Sequence, residues 1–305
     1  MTARNVKNMA ASIRQKLLNK SKTENRPFEE LVRRYAMERF LYRLSQSEYH
    51  EQLILKGALM FAIWNRSINR PTLDIDLLGR MNNDAAVLET CIRDICSSQV
   101  ADDGIIFDPA TVHSVGITKN TDYVGRRITF TAKMENMRIP MQIDIGFGDS
   151  VFPEPDRITM PSFFDMPTGQ LLGYTRESAI AEKYHAMVQM AELNSRMKDF
   201  YDIWILSTAF DFTGNRLAQA VKSTFEKRTV PITEDIIAFT EDFAIKKQDQ
   251  WVAFRRKINA VDAPESFHEV TKQVEKFLRP IVHSLVMKNS DLGDWKAPDR
   301  WESHH

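Results

Sequence analysis

The stretch Arg70-Pro71-Thr72-Leu73-Asp74-Ile75-Asp76-Leu77-Leu78 constrains the fold of this chain more than any other. Successive side chains of a β-strand point to opposite faces. Read as a strand, it turns Leu73, Ile75 and Leu77 toward a core and projects Asp74 and Asp76 from the other side. Two carboxylates on one exposed face suit a hard divalent cation, because Mg²⁺ is usually held by one or two carboxylates plus substrate phosphates. A third acid stands far away in a similar setting, in Arg138-Ile139-Pro140-Met141-Gln142-Ile143-Asp144-Ile145-Gly146-Phe147. There Ile139, Met141, Ile143, Ile145 and Phe147 share one face and Asp144 lies on the other. The plainer reading of Asp-x-Asp is a solvated edge strand or a turn.

The chain has 305 residues, enough for one large or two ordinary domains. Its 41 basic and 41 acidic residues cancel, so no global field points to a nucleic-acid partner, although a local basic patch remains compatible. Cys91 and Cys96 diverge on an expected helix and make no disulfide framework, as suits a reducing cytoplasm. No apolar run approaches a membrane span, and no signal-peptide core opens the chain. A cytoplasmic location without a membrane partner is the expectation. The closing His304-His305 carries no weight.

Residues from about 5 to 50 read as helices, with Phe28, Leu31, Val32, Tyr35, Ala36, Phe40, Leu41 and Leu44 at helical spacing. Arg33, Arg34, Arg39 and Arg43 fill other positions. They fit a solvated face with partners such as Glu29–Arg33, or phosphate contacts. Leu53 to Trp64 reads as a buried helix introduced by Lys56-Gly57. Asp84 to Cys96 reads as a helix capped by Asn82, Asn83 or Asp84. Strands are expected at 104–107, 111–118 and 126–134. In the last, Ile128, Phe130, Ala132 and Met134 alternate with Arg127, Thr129, Thr131 and Lys133, and Glu135-Asn136 turns the chain into the Asp144 strand. Pro153, Pro155, Pro161 and Pro167 then punctuate a connection, and helices follow from Tyr174 to about Val286.

In that second half Thr175 caps a helix with Glu177 in its first turn and Ile180, Tyr184, Met187 and Val188 as its apolar stripe. Lys183 lies beside the stripe, where a lysine commonly snorkels. Beyond a turn, Asp199 and Asp202 share a helix face. They are helix-start acids in one reading. In the other, Lys183 binds nucleotide phosphates and an aspartate positions or deprotonates the acceptor hydroxyl, across a cleft from the Asp74 cluster. His185 reads as a packed core histidine, and no second histidine stands at zinc spacing. Lys222, Lys227, Arg228, Lys246, Lys247, Arg255, Arg256 and Lys257 are either a solvated helix face or candidate phosphate contacts, with Trp251 and Phe254 as aromatic anchors on the same helix as Arg255 to Lys257.

Asp-x-Asp followed by a single strand aspartate is the pattern of polymerase-β-like nucleotidyltransferases. Over almost its whole length the chain resembles the AbiEii/AbiGii nucleotidyltransferase toxins, the toxin half of type IV abortive-infection systems. The resemblance rests on Arg39-Phe40-Leu41-Tyr42-Arg43-Leu44, Leu55-Lys56-Gly57-Ala58-Leu59, the Arg70 to Asp76 stretch, Ala181-Glu182-Lys183 and Lys198-Asp199-Phe200-Tyr201-Asp202. It continues through Thr224-Phe225-Glu226-Lys227-Arg228 and Phe277-Leu278-Arg279-Pro280. It implies an α+β fold: a polymerase-β-like sheet with flanking helices over residues 1–165, and a mostly helical domain over 166–305. It implies a Mg²⁺- or Mn²⁺-dependent enzyme that transfers a nucleotide from an NTP to an acceptor such as the 3′ end of tRNA, with a cognate antitoxin encoded nearby. Essential roles fall on Thr72, Asp74, Lys183 and Asp199, with Asp76 and Asp202 as supporting acids; with the strand reading above, metal is expected on Asp74 and Asp76 with Asp144 completing the site, and nucleotide on Lys56, Gly57, Thr72 and Lys183. Spacing alone allows Lys183 to pair with either Asp199 or Asp202. Nucleotidyltransferases usually show Gly-Ser or Gly-Gly where this chain has Gly57-Ala58, so Ala58 offers a phosphate only its backbone N–H. Protein nucleotidylylation and a non-catalytic binding module are the rival functions.

Overall fold

The computed structural model describes residues 8–64, 72–118, 124–288 and 292–303. Arg70 and Pro71 of the quoted motif, and His304-His305, lie outside them. The chain divides into two compact units: Met1–Gly148 with Asp156–Gly173, and Asp149–Pro155 with Tyr174–His305.

The first unit opens with helices α1 (Met9–Glu24) and α2 (Phe28–Ser45), followed by strand β1 (Leu53–Lys56), a short helix α3 (Leu59–Ile63), β2 (Ile75–Gly79) and α4 (Ala85–Ser97). It continues through β3 (Ile106–Thr118), β4 (Val124–Met134), β5 (Met137–Phe147), β6 (Asp156–Thr159) and β7 (Gln170–Gly173). The strands form one mixed sheet in the order β3-β4-β5-β2-β1-β7-β6. β2 runs parallel to β5 and antiparallel to β1, and β4 and β5 form the expected hairpin, with Met134 paired to Met137 around Glu135-Asn136. Asp84 is the cap of α4 and accepts from the N–H groups of Ala86 and Val87. Ile75, Leu77, Ile143 and Ile145 share one core with Leu31, Tyr35, Phe40 and Leu44 of α2. That packing covers one face of the sheet and leaves the alternate side chains of β2 and β5 for other work.

Four expectations need correction here. Leu53 to Trp64 is not one helix: Leu53–Lys56 is a central strand, and the chain turns at Gly57 before α3. A fully buried strand shows a continuous apolar run, which periodicity cannot separate from a buried helix. Leu73 is exposed, because the strand begins only at Ile75. The proline-punctuated connection carries the strand pair β6 and β7. Arg39 and Arg43 belong to no solvated face. Arg43 donates to both carboxylate oxygens of buried Asp103 at 2.7 and 3.2 Å, and Arg39 donates to Glu38 at 2.6 Å and to the Pro167 carbonyl. Burial of both partners makes these arginines internal cross-links of the unit rather than phosphate contacts.

The second unit contains α5 (Arg176–Met190), α6 (Met197–Ala209), α7 (Gly214–Lys227), α8 (Glu241–Lys257) and α9 (Phe267–Met287), and a small antiparallel pair, β8 (Asp294–Lys296) and β9 (Arg300–Glu302). Thr175 caps α5 as expected, accepting from the Ser178 N–H, with Glu177 in the first turn. Trp251 is not available as an aromatic anchor. It is fully buried, stacks on Phe267 and donates its indole N–H to the Pro264 carbonyl. Arg228 likewise turns inward, to Asp149 at 2.8 Å and to His185 Nδ1 at 3.2 Å. Burial, with the neighbouring guanidinium, pushes the His185 imidazole down to about 4, so it is a neutral core histidine at physiological pH. No described helix is long and apolar enough to cross a membrane.

Candidate active site

The site of the first unit begins with strand register. β2 pairs with β5 so that Asp76 stands beside Asp144 and Ile75 beside Ile143. Because the strands are parallel and adjacent, their alternate side chains fall on a common face. Asp74, just before β2, completes the group. Ligand oxygens from Asp74, Asp76 and Asp144 all lie within 4.8 Å of one another, and among the described residues this is the one group of carboxylates, histidines or cysteines with metal-holding geometry. Asp74 and Asp76 are half-buried and Asp144 is buried. Unit charges about 4 Å apart interact by roughly 4 kcal/mol near a protein surface, so three carboxylates this close demand positive charge.

Four neighbours shape the cluster. Thr72 donates its hydroxyl to Asp74, to the backbone carbonyl and to Oδ1, both at 3.2 Å. That fixes the carboxylate's rotation where the strand starts. Gln142, on the same face of β5 as Asp144, places its amide nitrogen 3.4 Å from Asp74 Oδ2 and from Asp144 Oδ1. Arg127, opposite Asp144 across the β4–β5 hairpin, donates from Nε to Oδ1 and from Nη2 to Oδ2, both at 2.8 Å. Asp144's hydrogen bonds raise the Arg127 pKa against the effect of burial, and the charges of Asp144, Asp74 and Asp76 add to the rise.

The fourth neighbour is Gly57. Its φ of 73° lies in the left-handed region, which suits glycine. A Cβ built there would overlap the Asp76 carboxylate and approach its Cβ and Cγ to 2.8 Å. The turn after β1 therefore presses its backbone onto Asp76, while Lys56 pairs across the ladder with the same residue. Gly57→Ala should cost about 1–3 kcal/mol from the backbone alone, and displace Asp76. A shift of about 1 Å at a reacting centre is worth roughly 10²-fold in rate, so transfer should fall by at least about that factor. Turnover and thermal melting of Gly57→Ala check this, and transfer within twofold of the parent would contradict it.

The second unit holds the other constellation. Lys183 Nζ reaches Asp202 Oδ2 at 2.6 Å and Asp199 Oδ1 at 3.3 Å, and both aspartates are fully buried. Arg196 Nε stands 2.7 Å from Asp199 Oδ2 without hydrogen-bond alignment. The apolar stripe of α5 sets the lysine against the first turns of α6, where the i,i+3 spacing of Asp199 and Asp202 aims both acids at one cation. The lysine thus contacts both aspartates, and its partly buried side chain ends in an ion cluster.

Arg127 and Gln142 were missed by the sequence reading. The signal for Arg127 was present: a two-residue turn pairs Met134 with Met137, and counting seven residues outward on each strand pairs Arg127 with Asp144. Gln142 needed only the strand alternation that placed Asp144.

A mixed sheet presenting three clustered aspartates from two adjacent strands, with a helical unit following, defines a polymerase-β-like nucleotidyltransferase architecture. The chain belongs to the family described as "Nucleotidyl transferase AbiEii toxin, Type IV TA system", whose model matches residues 39–273. Two solved structures resemble it. The crystal structure of JHP933 from Helicobacter pylori is 17% identical, with 86% of this chain and 98% of that chain covered and a TM-score of 0.48. A candidate nucleotidyltransferase from H. pylori is 16% identical, with 84% and 96% covered and a TM-score of 0.47. No curated protein sequence matches the chain.

Proposed function

We infer that this toxin is a divalent-metal-dependent nucleotidyltransferase that transfers a nucleotide from an NTP to the 3′ end of tRNA, so that translation and growth stop. The observation that carries the catalytic part is the convergence of Asp74, Asp76 and Asp144 within 4.8 Å. Three hard oxygen donors fit Mg²⁺ or Mn²⁺, which commonly keep several waters and substrate oxygens beside one or two carboxylates. The ion would neutralise charge on the triphosphate and lower the pKa of the attacking hydroxyl. Thr72 orients Asp74, Gly57 lets the backbone approach Asp76, and Lys56 and Gly57 are assigned to the nucleotide. Lys183 is assigned to phosphate binding, with Asp199 and Asp202 holding its ammonium in place.

Resemblance to the AbiEii/AbiGii toxins supports tRNA as acceptor and a cognate antitoxin, encoded nearby, as partner. The test is to incubate the pure protein with each α-labelled NTP, with and without total tRNA, in Mg²⁺ or in EDTA. Label should appear on RNA only with metal, and nuclease removal of the terminal nucleotides should release it. Label on protein would instead identify protein nucleotidylylation, and no label anywhere would identify a binding module.

A further inference from the structure

Strand register extends one face of the sheet well beyond the aspartate cluster. On β4, Ile128, Phe130, Ala132 and Met134 are buried, and the alternate residues Thr129, Thr131 and Lys133 turn to the other side. On β5 the same alternation puts Arg138 and Gln142 on the face that carries Asp144. The ladder pairs Arg127 with Asp144, Thr129 with Gln142 and Lys133 with Arg138. One face therefore runs from the aspartates to the hairpin turn, with Thr129 and Arg138 exposed along it. At about 3.4 Å per residue, Arg138 stands about 20 Å along β5 from Asp144.

At the far end of this face Lys133 and Arg138 stand directly opposite each other, and like charges so placed destabilise a sheet. Asp108 of β3 answers one of them. It accepts from Lys133 at 3.1 Å, and that bond, with the charge of Arg138 adding to it, holds the Asp108 carboxyl below its usual range. Glu135 at the turn lies 4.0 Å from Arg14 of α1. Arg138 itself is exposed and makes no ion pair among the described residues. An anion bound beside Arg138 would relieve the repulsion. Between it and the aspartates lie the hydroxyls of Thr129 and Thr131 and the amide of Gln142, donors and acceptors of the kind that meet ribose hydroxyls.

We propose that this face is the track for the RNA acceptor. The 3′ end enters the aspartate cluster, the sugars before it pass over Thr129 and Thr131, and a phosphate further back is held at Lys133 and Arg138. The inference rests on the acceptor proposed above and adds where that strand lies. The cations of α1 and α2 take no part, because Ile13 and Leu17 of α1 and Leu31 and Tyr35 of α2 enter the core on the covered side of the sheet.

The experiment measures tRNA binding to the full chain in EDTA, without NTP, across a series of salt concentrations. Arg138→Ala should weaken binding roughly fivefold, the scale of one exposed charge contact. It should also flatten the salt slope by about 0.7, the value for one phosphate of a single strand. Arg138→Lys, which keeps the charge, should keep the slope. Lys22→Ala, which removes equal charge from the exposed surface of α1, should bind like the parent. In transfer assays with metal, Arg138→Ala should raise the KM for tRNA and leave the KM for NTP alone. With a dinucleotide acceptor, too short to span about 20 Å, the difference from the parent should vanish. Parental affinity in Arg138→Ala, an equal loss in Lys22→Ala, or an equal loss of efficiency on the dinucleotide overturns the proposal. Transfer by the parent separates the two readings. If it labels protein or nothing, the acceptor proposed above is wrong, and the track falls with it. If it labels tRNA while Arg138→Ala binds tRNA as tightly as the parent does, only the track falls.

Discussion

Asp74→Asn is expected to lower nucleotide transfer by roughly 10³-fold while leaving the protein folded. The substitution keeps the shape of the side chain and an oxygen that Thr72 can still donate to, so the start of β2 is preserved. It removes one of three clustered negative charges, which relieves repulsion in the free protein and costs little stability. What is lost is a hard anionic ligand at the point where charge develops. Removing one preorganised electrostatic contact of that kind typically lowers turnover by about 10²–10³-fold, and a drop of roughly 10³-fold in single-turnover transfer is expected, with the melting temperature close to that of the parent. Transfer within tenfold of the parent at limiting Mg²⁺ would remove Asp74 from the site. Any growth arrest on expression should vanish in step with transfer.

Lys183→Met has a large effect of a different kind. Methionine matches the length of the lysine stem but withdraws the ammonium that contacts two fully buried acids, Asp199 and Asp202, with Arg196 still beside Asp199. Breaking a buried ion pair from one side typically costs about 3–5 kcal/mol. For a chain of this size each kcal/mol lowers the melting temperature by roughly 2–4 °C, so a fall of roughly 10 °C is expected by calorimetry. Adding Asp202→Asn to Lys183→Met should recover part of it. A methionine variant that melts with the parent would mean that the ion cluster contributes nothing to the fold. Loss of transfer in a Lys183 variant is therefore ambiguous by itself. Phosphate binding by this lysine is supported only if NTP affinity falls more than stability does, in a variant held well below its melting point.

Local periodicity carried the reading of the first unit as far as local periodicity reaches. The Asp-x-Asp strand, the Asp144 strand and the hairpin at Glu135-Asn136 were legible because each places apolar residues on one face and mostly polar ones on the other, which writes a period of two into the sequence. β1 was not, since Leu53, Ile54 and Leu55 are buried on both sides and show no alternation. The convergence of Asp74 and Asp76 with Asp144 is a tertiary fact. Each strand advertised its carboxylates, but only the parallel pairing of β2 with β5 makes them neighbours. Arginines misled for a related reason. Arg39 and Arg43 sit at positions a helical pattern treats as solvated, yet Glu38 and Asp103 accompany them into the interior. A charged residue's partner is invisible in a sequence when it lies 60 positions away, as Asp103 does from Arg43.

The strand order has a consequence for how the toxin is made. β1 and β2 are adjacent in sequence and can pair early, whereas β2 must wait for β5, whose residues are synthesised some 70 positions later, and β1 must wait longer still for β7. Pairings of such separation form late, because the intervening loop must close before any contact rewards it. On the ribosome, a chain that has exposed Asp74 and Asp76 still lacks Asp144, the arginine that holds it and the strand that seals the sheet. The carboxylate trio therefore comes into being only once most of the amino-terminal unit has left the exit tunnel.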